Sequence, residues 1–392
     1  FSTGFLVGQG ATPNRLKLEP AQGDPDPDDP EMPKRFQILS ECPFCWSKQI
    51  EMTFDRRRWT LDHRCRNSEC PWPEHALPFY IVDDEIYRFL PTVVVGTLDK
   101  VASIALQAAM RGLVGAPRGS CQGSGHGYTY APRAKAPNGC LVPGCRFDTQ
   151  ALSQDAARFS PAFRLQDELH LLNDSLGAVD AHYESLLDHL QMAISGSRPK
   201  ILASSATLAG YEKQSAVLYR RRARVFPVPG PAPQEGFWSR ETRERARLFV
   251  GLAPRGVTLE YALDRTLTEL QSALRGFLQD PAPICARLGI SADHAPELVS
   301  IYGVDVVYGN TLRDLDAVMR SLDIQVPVRG PLHHATLTGR TEFEEVRRTL
   351  ERLQEPEAAF QDRLHVIAAS SMMSHGVDVD RIAFRPLVVA EH

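Results

Sequence analysis

Phe163-Arg164-Leu165-Gln166-Asp167-Glu168-Leu169-His170 and, further on, Lys200-Ile201-Leu202-Ala203-Ser204-Ser205-Ala206-Thr207 decide how the chain is read. Each is an apolar approach that ends in oxygen-bearing side chains, as when two neighbouring parallel strands deliver polar groups to one edge of a sheet. Adjacent carboxylates at such an edge suit phosphate hydrolysis: Asp167 can hold Mg²⁺ and Glu168 can orient the attacking water. The hydroxyls of Ser205 and Thr207 can then sense whether a γ-phosphate is present. An Asp-Glu pair alone is commonplace; the spacing to His170 and to Ser205-Ala206-Thr207 makes it specific.

The 392 residues have room for two or three domains with real cores, and the formal charge of −4 announces no basic tail. A near-neutral total leaves a local strand-binding groove open. Only seven of the 44 basic residues are Lys; Arg suits phosphate forks, although a GC-rich genome gives the same bias. No run of eighteen apolar residues occurs and residues 1–10 lack the pattern of a leader, so the expectation is a soluble, cytoplasmic protein with no membrane contact.

The eight cysteines are clustered rather than scattered. Cys42-Pro43-Phe44-Cys45 and then Cys65 and Cys70 have the spacing of a zinc ribbon, in which two tight knuckles bring four thiolates together. Between the knuckles Ile50, Met52 and Phe54 alternate as in a short strand, and Arg56, Arg57, Arg58 and Trp59 either touch a nucleic-acid strand or form a solvated face. Cys121, Cys140 and Cys145, with His126, lie in a Gly/Pro-rich loop and either complete a second zinc site that staples it or are free thiols of a flexible loop. Cys285 stands alone and reads as core.

Residues 1–35 read as the partial start of a first α/β domain with a mobile Asp/Pro loop, 36–78 as the zinc-ribbon insertion, and 79–208 as the rest of that domain, including the second Cys cluster at 121–145. Strands are expected at Phe79–Val82 and Thr92–Val95, the latter running into Gly96-Thr97-Leu98-Asp99-Lys100 and a helix from Val101 to about Met110. A Gly-Thr turn opening a helix can present N–H groups and a hydroxyl to a phosphate, or merely cap it. Residues 209–297 read as a linker, rich in Arg at 220–224, and a helical insertion with Leu263, Leu267, Leu270, Leu274 and Leu278. Residues 298–392 form a second, incomplete α/β domain with strands at Val304–Tyr308, Ala335–Thr338 and His365–Ala369 and helices near Thr311 and Glu342–Leu353. Strands alternating with helices predict a parallel sheet, with the turns at Gly309-Asn310, Gly339-Arg340 and Ser370-Ser371 on one carboxyl edge.

With these motifs in order, the chain resembles the superfamily 2 nucleic-acid helicases. Their Walker B box, Asp-Glu-x-His, matches Asp167-Glu168-Leu169-His170, and their third motif matches Ser205-Ala206-Thr207. Motif Ib matches Gly96-Thr97, and motif V matches the turn Ser370 to Asp378. The resemblance implies two RecA-like domains with ATP in the cleft between them, Asp167 on Mg²⁺, Glu168 on water, His170 coupling cleft to strand, and Gly376 and Asp378 at the nucleotide. Gly96, Thr97, Lys100, Thr338, Arg340 and Ser374 are the residues expected at the nucleic acid.

The cysteine-bearing insertion, the box Gln166 to Leu172, and the turns at Tyr308-Gly309-Asn310 and Ser374-His375-Gly376-Val377-Asp378 further resemble the large helicase component of bacterial DISARM anti-phage systems. That implies an ATP-dependent motor loading on DNA that is single-stranded or has free ends, with a DrmB-like protein partner and a methyltransferase.

No Gly-Lys pair occurs anywhere, so a Walker A loop is absent from this sequence, and the arginine-finger motif is absent as well. The expectation is therefore a partial record of a longer protein. Alternatives are a DNA-repair or RNA helicase, or a helicase-like scaffold that binds DNA without ATP turnover. A zinc nuclease is disfavoured because thiolate-closed zinc leaves no position for water.

Overall fold

In the computed structural model the apolar runs form short parallel strands and the cysteine spacings form antiparallel ones. The structure describes residues 1–8, 12–72, 75–103, 108–115, 117–153, 156–172, 174–205, 209–226, 242, 248, 250–309, 315–316, 318–320, 322 and 331–370. The chain divides into two units, Phe1–Arg240 and Glu241–His392.

The first unit opens with β1 (Thr3–Leu6) and a short helix α1 (Met32–Arg35), then the hairpin β2 (Ile50–Asp55) and β3 (Thr60–Cys65), with Ile50 opposite Cys65. β4 (Phe79–Tyr80), α2 (Asp83–Phe89), β5 (Val93–Gly96) and α3 (Leu98–Ala102) follow. β1 lies between β4 and β5, parallel to both. Of the expected helix from Val101 to Met110, the described residues are the end of α3 and a 3-10 stretch, Ala108–Val114, whose Ala109, Met110 and Val114 pack with Leu6, Ile86 and Tyr87; residues 104–107 lie outside the described residues. α2 opens on Asp83, Asp84 and Glu85, acids that favour a helix amino end.

The second Cys-rich loop is a small antiparallel sheet, β6 (Gly119–Cys121) flanked by β7 (Tyr128–Thr129) and β8 (Thr149–Ala151). Next come β9 (Phe163–Gln166), the long α4 (Asp174–Ser195), β10 (Lys200–Ala203) and α5 (Tyr211–Tyr219). β9 and β10 pair in parallel, Gln166 opposite Ala203. That register sets Asp167 and Ser204, the next residue of each strand, side by side.

In the second unit α6 (Leu259–Gln279), α7 (Ala282–Leu288) and α8 (Ala295–Tyr302) precede β11 (Asp305–Tyr308), β12 (His334–Leu337), α9 (Phe343–Gln354) and β13 (Val366–Ala369). The sheet is parallel with β13 in the middle. β13 is a run of four apolar residues and is buried throughout, as a central parallel strand covered on both faces requires. On α9, Val346, Leu350 and Leu353 repeat at helical spacing and pack on Leu337 and Ile367, while its charged residues face outward. Leu263 and Leu267 of α6 pack on Val307 and Val366, and Gln271 donates to Asp305. α6 thus builds the core of this unit, whereas the sequence reading made it an insertion. Cys285 is buried with Phe277 and Val299, as core. Among the described residues no helix is long and apolar enough to cross a membrane.

Candidate active site and metal centres

Asp167 and Glu168 follow β9 directly, and Ser204 and Ser205 follow β10. Two backbone bonds zip the corner: Ser204 N–H donates to Gln166 O at 2.9 Å and Leu169 N–H to Ser204 O at 2.8 Å. The Ser204 hydroxyl donates to Asp167 Oδ1, which also accepts the Glu168 amide at 3.0 Å. These two bonds, the hydroxyl first, hold the Asp167 carboxyl below the usual range, so it is an exposed anion. Glu168 sits in the left-handed region at φ 51, where a non-glycine residue is strained, and opens a one-turn 3-10 helix, Leu169–Leu171. The turn points His170 back: its Nδ1 lies 3.2 Å from Glu168 Oε2 and 3.4 Å from Ser205 Oγ. Gln214 of α5 fixes the turn from behind by donating to Leu169 O at 2.7 Å and Leu172 O at 3.0 Å.

The structure therefore gathers Asp167, Glu168, His170 and Ser205 at one strand edge. Thr207 lies outside the described residues, as do Ser374, Gly376 and Asp378. Gly96 and Thr97 are exposed at the end of β5, and Thr97 heads α3 without a side-chain capping bond. A Cβ on Gly96 would come within 3.2 Å of Leu6 O, so the glycine permits close strand approach. Lys100, expected at nucleic acid, is instead turned inward and buried: its ammonium bonds Asp83 at 2.7 Å and also Asn14. Thr338 is buried and holds its own turn by accepting from Arg340 N–H at 3.2 Å, while Arg340 is exposed.

Ser204 and Gln214 were missed by sequence reasoning. Ser204 had a signal, being to β10 what Asp167 is to β9. Gln214 had none, because its role depends on where α5 returns.

Cys42, Cys45, Cys65 and Cys70 bring their sulfurs within 4.8 Å of one another, with Cys42–Cys70 at 3.7 Å and Cys45–Cys65 at 3.6 Å. A tetrahedron with ~2.3 Å zinc–sulfur arms has edges of about 3.8 Å, so the donor set fits zinc. Backbone N–H groups of Phe44 and Trp72 donate to Cys42 and Cys70 sulfurs, the usual knuckle geometry. Cys121, His126, Cys140 and Cys145 form a second cluster on the same scale. Cys121 Sγ lies 3.6 Å from Cys145 Sγ and 3.6 Å from His126 Nδ1, and Cys140 Sγ lies 3.7 Å from the same nitrogen. Either cluster could hold zinc.

Arg88 of α2 joins the two modules. Its buried guanidinium donates to the carbonyls of Arg58, Trp59, Gly125 and His126, at 2.5 to 3.0 Å. Gly125 and Gly127, both at positive φ, let the loop close around it, since a Cβ on Gly127 would lie 2.3 Å from Arg88 O. Beside it Glu85 accepts the Leu61 amide at 2.8 Å, and burial pushes its carboxyl up to about 8.

These features define an α/β protein of parallel sheets, with a carboxylate pair on one strand edge and two clusters competent for metal. No protein-family model matches the chain. It is similar to the DISARM protein DrmA of Bacillus paralicheniformis, 27% identical over 414 aligned residues, 97% of this chain and 35% of that protein. The chain thus spans about a third of the curated relative's length. The crystal structure of the DUF1998 helicase MrfA bound to DNA and AMPPNP aligns with 78% of this chain and 31% of that one, at 12% identity and a TM-score of 0.40.

Proposed function

We propose that this chain is part of a DNA-dependent ATPase of the superfamily 2 helicase type, serving as the DNA-loading motor of a DISARM-like anti-phage system. The observation that carries the reading is the corner where Asp167, Glu168 and His170 meet Ser204 and Ser205. An exposed, hydrogen-bonded carboxylate beside a second carboxylate held at a fixed angle is the donor set a magnesium–nucleotide site needs. In this reading Asp167 holds the ion and Glu168 orients water, while His170, touching both Glu168 and Ser205, links hydrolysis to the next strand. Bound Mg²⁺ and ATP would supply the charge neutralisation and the phosphoryl group. Thr207, Gly376 and Asp378 are the further residues assigned to nucleotide, and Gly96, Thr97, Thr338, Arg340 and Ser374 those assigned to DNA. Zinc in both clusters is structural, and similarity to DrmA supports a protein partner from the same system.

The test is ATP turnover by the full-length protein with and without single-stranded DNA, beside Glu168→Gln. DNA should stimulate turnover, and the variant should lose roughly 10²–10⁴-fold, as removal of a positioned base does, while still binding DNA. Equal DNA binding by both proteins with no turnover in either would leave a DNA-binding scaffold.

A further inference from the structure

We propose that Arg198, Lys200, Arg220, Arg222 and Arg224 form a second contact for the phosphodiester backbone of single-stranded nucleic acid, on the edge of the β9–β10 pair opposite to Asp167. The proposal rests on the reading of the chain as part of a strand-binding ATPase.

The topology gathers these cations. β10 starts at Lys200; Gln214 of α5 bonds Leu169 O beyond the carboxyl end of β9, and Arg221 after α5 bonds Pro199 O just before β10, so the residues after Tyr219 return to the amino edge of the strands. Arg221 pins them there: it donates to Pro199 O at 2.5 Å and pairs with Asp188 at 2.8 Å. Arg164 pairs with the same Asp188 at 3.1 Å and with Glu184 at 2.6 Å, so both nearby carboxylates are already matched by two half-buried guanidinium groups. The five remaining cations are exposed, and none pairs with a carboxylate among the described residues. Residues 196–200 and 220–226 contain no acid at all, in a chain whose formal charge is −4. Four-residue strands put this edge about 13 Å from the Asp167 corner, at ~3.3 Å per residue.

The backbone at Arg220 bears on where its charge is placed. It ends α5 in the left-handed region, at φ 53 and ψ 36, a place that favours glycine. The chain ends α7 on Gly289, at φ 70, and follows α4 with Gly196, at φ 66. At α5, as at α2 with Leu90 at φ 44, it carries a larger residue there, and the charge of Arg220 meets no partner among the described residues. The cap projects the Arg220 guanidinium into solvent beside the other exposed cations, where a ligand outside the fold can meet it. Phosphate oxygens fit: each neutralising contact releases condensed counterions, and the contact does not depend on base sequence.

Binding of a twenty-nucleotide oligothymidylate should be measured by fluorescence anisotropy across a salt series, for the wild-type protein, Arg222→Glu/Arg224→Glu and Arg220→Gly. Wild type should bind. The double variant should weaken binding about tenfold or more at low salt and flatten the log–log salt slope by roughly 1.4, about 0.7 per lost contact on a single strand. Arg220→Gly should weaken binding about threefold, as one lost phosphate contact would, yet raise the melting temperature, because glycine relieves the left-handed strain; a merely structural role would not separate the two readouts. Wild-type affinity and slope in both variants would reduce the patch to a solvated face and leave the ATPase reading standing. No oligonucleotide binding by the wild type would overturn both.

Discussion

The two units bury their strands differently. In the second, β13 is sealed: Val366, Ile367, Ala368 and Ala369 expose nothing, and α6 and α9 pack on the sheet through leucine and valine. In the first, Leu165 of β9 is 76% exposed and Phe163 59%, and Val95 of β5 is half exposed. The first unit has apolar clusters of its own, around Leu6, Ile86 and Tyr87 and around Met52, Leu61 and Ile81, and adds to them two cysteine clusters, the Arg88 clamp, the Lys100–Asp83 pair and the Arg164–Glu184–Asp188–Arg221 network. The second unit is thus stabilised mainly by apolar burial. The first depends in addition on groups whose contribution requires each partner to be present, because a buried polar atom left unpaired is costly.

Metal removal should have the largest effect. Structural zinc contributes on the order of 10–16 kcal/mol of apparent binding free energy in small modules. Elemental analysis should find two zinc ions per chain, and Cys70→Ser should leave one. Cys70 packs in a cluster with Leu77, Leu39 and Ile50, so its loss should open the β2–β3 hairpin to proteases while the unfolding transition of the second unit stays in place. A metal-free protein with the same protease resistance would remove the distinction between the units.

Next in size are truncations in the two sheets. Ile367→Ala empties a fully buried site between Leu337 and Leu353 and should cost about 2–5 kcal/mol in denaturant unfolding. Leu165→Ala, on an exposed strand position, should stay within about 0.5 kcal/mol. If Leu165→Ala costs as much as Ile367→Ala, the face of β9 is covered in the intact protein.

The same division governs what could be read from sequence. β5, β10, β11 and β13 carry apolar runs, and β9 alternates apolar with polar; the edge they present was legible because polar residues follow them directly. The cysteine spacings were legible because a four-donor site imposes its own periodicity. β3 was not: Thr60, Asp62 and His63 look like a solvated segment, yet they are buried, with Asp62 paired to Arg58 and Arg64 and His63 Nε2 accepting from Ile38 N–H. Lys100 misled for the same reason. Its position after Gly96-Thr97 is that of a phosphate contact, but Asp83 and Asn14 claim it, and no local pattern announces partners that remote in sequence. Arg88, whose four bonds go to backbone carbonyls, has no sequence signature at all. Apolar burial writes a period into the chain, whereas a polar clamp depends on tertiary placement.

The smallest effect probes the polar exception inside the apolar unit. Asp305, at the start of β11, is buried and accepts from Gln271 at 2.9 Å, and burial pushes its carboxyl up to about 6. His365, before β13, is buried against Phe360 and takes the His333 amide at 3.0 Å, and burial lowers it to about 4. The signs are opposite. Asp305 binds a proton more readily folded than unfolded, so its contribution is greatest in acid and is lost as pH rises through about 6. His365 binds one less readily folded, so its contribution is present above the ordinary imidazole range and is lost as pH falls towards 4. Between those limits the two slopes oppose each other. Asp305→Asn keeps the oxygen that Gln271 needs and removes only the titration. Relative to wild type, the variant should therefore lose stability more steeply between pH 6.5 and 4, by on the order of 1 kcal/mol over the interval, in denaturant midpoints of the second unit. Parallel profiles for the two proteins would mean that Asp305 reaches water, and that the seal of this unit ends short of its first strand residue.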